Sequence, residues 1–343
     1  MLNGLKRDLA STRSPMDAGR SRQLLFTGVA ALGGLLLFAY AVRSVGLPVI
    51  LDGIHRVGSG LWLVLALAGL RFLIRTQAWR LCMRPEVRLP FGSALQAFLA
   101  GDAMGSVTPL GLVASEPTKL LLASGRMTTG EAMTSLAVDN LTYAASAVAM
   151  LVLGVAVALA TVPLSAAWRE GALVALCLVA GGALVAQRLL KGTWSEERGA
   201  RPPWRARLAL LRQTVMGFAD GHPERLWGVM GLGLLFHAVA VLEVYIVLGW
   251  LLGDSRPTWS QSIIFEALNR AITIAFKFVP FRVGVDEAFS GALSPVLALA
   301  SAQGVTLAVI RKVRNLFWAG VGLALIGAYR VSQHAAETGR RET

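Results

Sequence analysis

The stretch TSLAVDNLTYAASAVAMLVLGVAVALAT, residues 134–161, carries only one charged side chain, Asp139. A helix rises 1.5 Å per residue and needs about 20 predominantly apolar residues to cross the hydrocarbon core of a bilayer. This stretch exceeds that length, and Pro163 and Trp168 follow it, as is typical of a helix that ends at a membrane interface. It therefore predicts a transmembrane helix.

Apolar runs of the same kind recur along the chain. They span residues 24–42, 61–82, 91–125, 173–190, 226–252, 262–279, 284–302 and 304–329. The chain is 55% hydrophobic and only 15% charged, whereas a soluble domain carries roughly 25% charged residues. Disordered chains are poor in apolar residues, so that class is excluded too. The fold class predicted is all-α, a polytopic integral membrane protein.

The basic residues lie between the apolar runs, although the net charge of +13 would suggest nucleic acid as a partner of a soluble protein. A membrane surface explains this placement better, because cytoplasmic loops carry an excess of lysine and arginine. The rule places residues 1–23, 80–90, 188–225 and 330–343 in the cytoplasm, and residues 43–56, 161–170 and 253–259 outside. We expect no nucleic-acid partner and a bacterial inner-membrane protein with a cytoplasmic N-terminus.

This topology requires the segments 91–125 and 260–303 each to enter and leave the membrane on one side. The first is broken at Thr108-Pro109-Leu110-Gly111 and the second at Pro280. We therefore predict six spanning helices and two re-entrant helical hairpins. The transmembrane domain is residues 24–329, between cytoplasmic tails 1–23 and 330–343. Its loop, 191–225, is predicted to hold an amphipathic interfacial helix, with an ordinary linker helix as the alternative.

Residues 24–42 have a second interpretation, since Ala39-Tyr40-Ala41 mimics a signal-peptide cleavage site. The run is longer than the 7–15 residues of a signal-peptide core, which favours a retained helix.

The two broken segments share a pattern. Glu116 follows Pro109, and Glu287 follows Pro280, at the same spacing, and a long helix comes after each segment. We interpret residues of about 91–160 and 260–329 as an inverted repeat, with coincidence as the alternative. Broken helices at matching positions of inverted repeats mark the binding site in many secondary transporters.

Charges inside a bilayer cost about 2.5–3.5 kcal/mol each on insertion scales, so they are functional candidates. A basic cluster beside a half-helix N-terminus suits a phosphate headgroup. The substrate-binding candidates are Glu116, Lys119, Asp139, Arg270, Lys277, Arg282, Glu287, Arg311 and Arg314, and the hairpin breaks are Pro109, Gly111, Pro280 and Gly284.

Several of these charged residues also have a purely structural interpretation. Glu266, Arg270 and Lys277 share a helical face, but Glu266 and Arg270 can also form an isolated intrahelical ion pair. Residues 311, 312 and 314 can snorkel to an interface. Arg75 and Arg80 are expected to face headgroups. His237 is expected to be a buried hydrogen-bond partner rather than a metal ligand.

Catalytic signatures are missing from the sequence. It has no HExxH, GxSxG, P-loop or Rossmann motif, and two cysteines, Cys82 and Cys177, form no metal-binding pattern. We therefore expect no enzyme, no cofactor and no metal site. An intramembrane lipid-modifying enzyme using Asp102, Glu116 or Asp139 is an alternative, as is a non-catalytic scaffold of a lipid-synthesis complex.

Four motifs carry a family resemblance across residues of about 24–329. They are Arg75-Thr76-Gln77-Ala78-Trp79-Arg80, Thr108-Pro109-Leu110-Gly111 with Glu116-Pro117-Thr118-Lys119, Pro280-Phe281-Arg282-Val283-Gly284-Val285-Asp286-Glu287, and Arg311-Lys312-Val313-Arg314-Asn315. With these motifs the chain resembles the flippase-like family, the transmembrane region of lysylphosphatidylglycerol synthases, and within it the hopanoid-biosynthesis-associated membrane proteins.

The chain departs from that family at a few positions. Phe281 and Arg282 stand where many members have glycines, Ser115 replaces a glycine, and Lys119 replaces an arginine. The resemblance covers the transmembrane region and not the aminoacyl-transferase domain. It implies translocation of an anionic phospholipid or hopanoid-type lipid across the inner membrane. Membrane lipids are the expected partners, and a homo-oligomer or lipid-synthesis partners stay open.

Overall fold

The computed structural model describes residues 46–108, 112–123, 127–191 and 220–341, with a few isolated residues in 36–43 and 209–218. Within these ranges the protein is all-helical, without a strand. The helices are α1 (Leu47–Val57), α2 (Leu61–Leu81), α3 (Phe91–Val107), α4 (Leu112–Ala123), α5 (Thr129–Thr161), α6 (Ala166–Lys191), α7 (Pro223–Leu252), α8 (Trp259–Ala275), α9 (Val285–Val296) and α10 (Ser301–Arg341).

Local sequence explains where several helices begin. The Thr128 hydroxyl accepts a hydrogen bond from the Glu131 backbone N–H, and the Glu131 carboxylate accepts one from the Thr128 backbone N–H. Thr258 and Gln261 repeat this capping box before α8. Each box satisfies backbone donors that a helix start leaves unpaired. Gly284, with a φ of 81°, allows the tight entry into α9.

Two helices differ from the sequence prediction. Residues 43–56 were expected to form an outer loop, but α1 occupies most of them. It buries Ile50, Gly53 and Val57, while Asp52 and Arg56 form an exposed ion pair. With 11 residues this helix is too short to span a bilayer, and Asp52 and Arg56 interrupt its apolar run. The last helix, α10, continues beyond the apolar run that ends at Tyr329 and reaches Arg341, because no proline stops it there.

The protein is a membrane protein by the apolarity of its helices and of their outer faces. In the described part, three segments are long and apolar enough to cross a bilayer: Leu47–Leu81, Thr129–Thr161 and Pro223–Leu252. Many large apolar side chains are exposed, among them Leu63, Leu70, Leu178 and Leu234. Soluble monomers rarely expose contiguous apolar surface on this scale.

Several helix contacts join the first half of the chain, α1–α5, to the second half, α6–α10. Helix α2 packs extensively against α7, α3 against both α4 and α10, α5 against α8, and α9 against α10. Two glycines permit close approaches between the halves of the chain. A Cβ on Gly154 of α5 would collide with Ala267 of α8, and one on Gly322 of α10 would collide with the backbone of Leu99 in α3.

Several predictions lie outside the described residues. The polar tail 1–23 does so entirely, as do Pro109 and Gly111, and so do most of the first apolar run 24–42 and most of the loop 191–225. The placement of Pro109 and Gly111 at a break, the signal-peptide alternative and the amphipathic helix stay predictions.

Candidate functional site

Charged side chains from seven helices are buried inside the bundle. Among the described residues less than a tenth exposed, seven are cations and five are anions: Arg71, Arg75, Lys119, Arg270, Arg311, Lys312 and Arg314 against Asp139, Glu243, Glu266, Asp286 and Glu287. Half-buried Glu116 and Arg282 add one charge of each sign. The buried interior therefore holds two more positive than negative charges.

The two excess positive charges lie at two glutamates, each of which pairs with two arginines. Glu243 of α7 pairs with Arg314 of α10 and, at 3.5 Å, with Arg71 of α2. Glu266 of α8 pairs with Arg270 at 2.9 Å and with Arg311 of α10 at 3.0 Å. We call these six residues the arginine nodes.

The nodes are dry and tightly held. Both glutamate side chains are 1% exposed, and Arg270 also donates to the Tyr143 hydroxyl at 2.8 Å. The guanidinium of Arg71 lies 4.4 Å from the centre of the Phe236 ring, and its Nε atom is buried without a hydrogen-bond partner among the residues that the structure describes. Because a buried charge needs a counter-charge, four arginines around two carboxylates suit an additional anion.

Two smaller pairs lie around α4 and the facing part of α5, which we call the first hairpin region after the sequence prediction. Arg75 of α2 donates to Asp139 of α5 at 2.7 Å, and Lys119 of α4 lies 3.1 Å from Glu116. The Lys119 ammonium lies 4.5 Å from the centre of the Phe98 ring. One oxygen of Asp139 and one of Glu116 are buried without a hydrogen-bond partner in the described part.

Glycine in α3 makes room for this arrangement. A Cβ on Gly101 would meet the Lys119 side chain at 2.7 Å and the Ser115 carbonyl oxygen at 3.0 Å. The lysine stem therefore crosses directly over α3, which places its ammonium beside the first hairpin region.

The second break is organised by Lys312 of α10. Its ammonium donates to the carbonyl oxygens of Phe281 at 2.8 Å and Arg282 at 2.9 Å. It also lies 3.3 Å from Asp286 and 3.2 Å from Glu287. Phe281 and Arg282 have φ values of 49° and 50°, a left-handed backbone conformation that residues other than glycine rarely adopt.

Asp102 of α3 joins the two halves of the site electrostatically. It is exposed and makes no ion pair within the described residues. The charges that act on its carboxylate are Lys119, then Arg282, Arg71 and Arg314. Asp102 therefore adds a negative charge at the edge of the charged interior, near cations from four segments.

The structure brings most of the predicted site residues together. Glu116, Lys119 and Asp139 lie at the first hairpin region, Arg270, Arg311 and Arg314 in the arginine nodes, and Pro280, Arg282, Gly284 and Glu287 at the second break. Lys277 is different: α8 ends at Ala275, and Lys277 is exposed. The predicted stripe of Glu266, Arg270 and Lys277 was therefore wrong in its last member.

Three other expectations are corrected or refined. Arg75 does not face headgroups, since it is 6% exposed and paired with Asp139. The basic residues 311, 312 and 314 do not snorkel, because each pairs with a buried carboxylate. The pair of Glu266 and Arg270 forms, but it is not isolated. His237 is 2% exposed and lies 3.4 Å from the Ser146 hydroxyl, as its buried role predicted.

Sequence reasoning missed Arg71, Glu243 and Lys312 as site residues. The signal was present, since a glutamate in an otherwise apolar helix is a functional candidate by its insertion cost alone. What the sequence did not show is that Glu243 meets Arg71 and Arg314, which are far from it in the chain.

The described residues contain no group of three or more histidine, cysteine, aspartate or glutamate side chains placed to hold a metal ion. The chemistry that the site offers is charge pairing within a water-poor interior.

Comparison with known proteins gives one result. The sequence model of the family described as the lysylphosphatidylglycerol synthase TM region matches residues 25–323. No curated protein and no solved structure matches the chain.

Proposed function

The chain belongs to the family of lysylphosphatidylglycerol synthase transmembrane regions, and on that premise we propose that it translocates an anionic, amphipathic lipid across the bacterial inner membrane. The family gives a function related to membrane lipids. The step from there to an anionic cargo rests on the arginine nodes, where four arginines share two glutamates inside the bundle.

A phosphate headgroup fits the missing charge. It carries the negative charge that the nodes lack, and arginine recognises phosphate oxygens through charge-assisted hydrogen bonds. The hydrocarbon part of the lipid would stay outside the bundle, against the exposed apolar faces of the helices. A phospholipid or a hopanoid-type lipid with an anionic headgroup meets both requirements.

Helix lengths support the inverted repeat on which this proposal relies. The first helices of the two hairpins, α3 and α8, have 17 residues each, and the second helices, α4 and α9, have 12 each. These helices are about 26 Å and 18 Å long, shorter than the ~30 Å hydrocarbon core. Pairs of this length suit re-entrant hairpins better than spanning helices, which supports six spans and two hairpins.

The packing supports the repeat in a second way. The first helix of each hairpin packs on the long helix that follows the other hairpin: α3 on α10, and α8 on α5. Each contact is closed by a glycine of the long helix, Gly322 or Gly154. An exchange of this kind is expected when two repeats are related by a two-fold axis in the membrane plane. With the N-terminus in the cytoplasm, the hairpins would enter from opposite faces.

We propose a non-catalytic role, in which the cargo leaves the protein chemically unchanged. The arginine nodes consist of groups that hold an anion, and all four of their cations are guanidinium groups, which do not transfer protons at ordinary pH. Membrane lipids are then the partners that the site requires.

Leaflet exchange in proteoliposomes tests the proposal. Labelled phosphatidylglycerol and labelled phosphatidylcholine are compared for the wild type, Arg71→Met, and the control Arg56→Gln, whose exposed pair with Asp52 lies away from the nodes. We expect the wild type and the control to exchange phosphatidylglycerol above protein-free vesicles. In Arg71→Met, exchange should fall about tenfold, equivalent to about 1.4 kcal/mol.

Three results would contradict the proposal. The first is a folded wild type that exchanges neither lipid, and the second is phosphatidylcholine exchange as fast as that of phosphatidylglycerol. The third is a change in the mass of the recovered lipid, which would indicate an enzyme.

A further inference from the structure

Four oxygen atoms surround the Lys312 ammonium at the second break. Two are the backbone carbonyls of Phe281 and Arg282, at 2.8 Å and 2.9 Å, and two are carboxylate oxygens of Asp286 and Glu287, at 3.3 Å and 3.2 Å. Lys312 reaches this place from α10, the second helix after the break. The Lys312 side chain is 9% exposed, so protein atoms rather than water provide most of its contacts.

These four oxygens have the composition of a binding site for a small monovalent cation. Unwound backbone carbonyls at broken helices coordinate cations in transporters, and carboxylates supply the compensating charge. Carbonyl and carboxylate oxygens are hard ligands, which suit alkali and alkaline-earth cations rather than transition metals. The distances of 2.8–3.3 Å fit an ammonium ion or a cation of similar size and exceed the 2.0–2.6 Å of magnesium and calcium.

The local backbone shows why a cation is needed there. The left-handed residues Phe281 and Arg282 direct two successive carbonyls at one point. Such a backbone is strained and persists only when its surroundings hold it. The two carboxylates also require a positive charge. Arg282 pairs with Asp286 at 3.1 Å. Glu287 accepts a hydrogen bond from the Gly284 backbone at 2.8 Å, but in the described part Lys312 is the only cation that pairs with it.

We propose that Phe281, Arg282, Asp286 and Glu287 form a monovalent-cation site that the Lys312 ammonium fills permanently, as a cation tethered to the chain. The second break then folds without a dissolved ion. Removing the amine exposes a site for a free ammonium or potassium ion. This inference concerns the break itself and does not depend on whether the protein translocates lipid.

The test is cation-dependent stability of purified protein in lipid nanodiscs. Wild type and Lys312→Ala are melted in potassium chloride, ammonium chloride and choline chloride at equal ionic strength. Choline is too large for the site, so it controls for general salt effects. We expect the melting temperature of Lys312→Ala to rise by several degrees in potassium or ammonium relative to choline, while that of the wild type does not change.

Two further variants make the result specific. Lys312→Ala combined with Glu287→Gln removes the carboxylate that only Lys312 neutralises, and it should lose the cation response. Because residue 312 is buried in the folded protein, Lys312→Cys in a Cys82→Ala/Cys177→Ser background is alkylated with bromoethylamine in denaturant and then refolded into nanodiscs. The alkylated side chain restores an ammonium, so the melting temperature should return towards that of the wild type and the response to potassium should disappear.

Each other outcome overturns the proposal. If Lys312→Ala and Lys312→Gln fail to fold in potassium and ammonium as well as in choline, a free cation cannot replace the amine and no cation site exists. If the variants fold with equal stability in all three salts, Lys312 is an ordinary ion-pair partner. If the wild type responds as strongly as Lys312→Ala, the cation acts elsewhere.

Discussion

Replacing Glu243 by glutamine should destabilise the protein far more than replacing Arg71 by methionine, although the two residues are partners. Glu243 is 1% exposed and is shared by Arg71 and Arg314. Its neutralisation leaves two buried cations without a carboxylate, and leaving one buried charge uncompensated already costs about 3–5 kcal/mol. We therefore expect Glu243→Gln to lose at least that much of the free energy of unfolding.

Arg71→Met has the opposite electrostatic effect. It leaves Glu243 paired with Arg314, so that this node becomes neutral. The lost contact is the longer one, 3.5 Å, and within the described ranges Arg71 Nε has no hydrogen-bond partner. Methionine keeps most of the apolar stem against the Phe236 ring. The expected change is within about 1 kcal/mol, in either direction, because replacing a buried charge by an apolar group is often neutral.

Both variants are measured by unfolding in mixed micelles with increasing fractions of sodium dodecyl sulfate, followed by tryptophan fluorescence. The double variant Arg71→Met/Glu243→Gln should recover part of the loss of Glu243→Gln, since it contains one buried cation fewer. Added phosphatidylglycerol should stabilise the wild type more than Arg71→Met. If Arg71→Met costs as much as Glu243→Gln, or if the double variant is the least stable of the three, the interior has no positive surplus at this node and our reasoning is refuted.

Three other predictions rest on single contacts. Asp102→Asn should speed phosphatidylglycerol exchange, because it removes an exposed negative charge among Lys119, Arg282, Arg71 and Arg314; an unchanged or slower rate in the exchange assay would contradict this. Gly322→Ala should destabilise the protein by about 1–3 kcal/mol, since its Cβ would meet the backbone of Leu99. The control Gly320→Ala in the same helix meets nothing within 4 Å and should be neutral or stabilising. Equal melting temperatures for the two variants would refute the close approach of α10 and α3. Asp139→Asn should destabilise by about 3–5 kcal/mol in the micelle assay because it leaves Arg75 buried without a carboxylate, and Arg75→Met in the same protein should restore part of the loss.

Much of the fold could be predicted from the sequence, because apolar runs and proline breaks are local signals. The run 61–82 matches α2 (Leu61–Leu81), and the run 226–252 matches α7 (Pro223–Leu252). Helix α1 was missed because it has only 11 residues, too few to span a bilayer, and because Asp52 and Arg56 interrupt its apolar run. The end of α10 was missed because a helix needs no apolar residues to continue into water.

The site residues were predictable as a set but not as pairs. Insertion cost marks Arg270, Arg311 and Arg314 without saying whether a carboxylate reaches them. The structure shows that a carboxylate reaches each of three neighbouring cations in α10. Each carboxylate comes from a different helix: α8 for Arg311, α9 for Lys312 and α7 for Arg314. No periodicity in the sequence contains this information, because it depends on which helices surround α10.

The arrangement around α10 also limits how the protein can work. A rigid-body movement of α10 relative to α7, α8 and α9 would break three buried ion pairs at once, and each would leave charges uncompensated at a cost of about 3–5 kcal/mol. We therefore infer that α7–α10 move as one body. The charge pairing from α2–α4 to that body is weaker, since Arg71 reaches Glu243 at 3.5 Å and Asp102 makes no ion pair in the described part of α3. The other contacts of α2 with α7 and of α3 with α10 are packing contacts, which can slide without uncovering a charge. If the protein alternates between two states, the half that contains α2–α4 moves against that body, and the Arg71–Glu243 contact is the one that opens. A disulfide that joins α9 to α10 should then leave lipid exchange intact, whereas one that joins α2 to α7 should stop it.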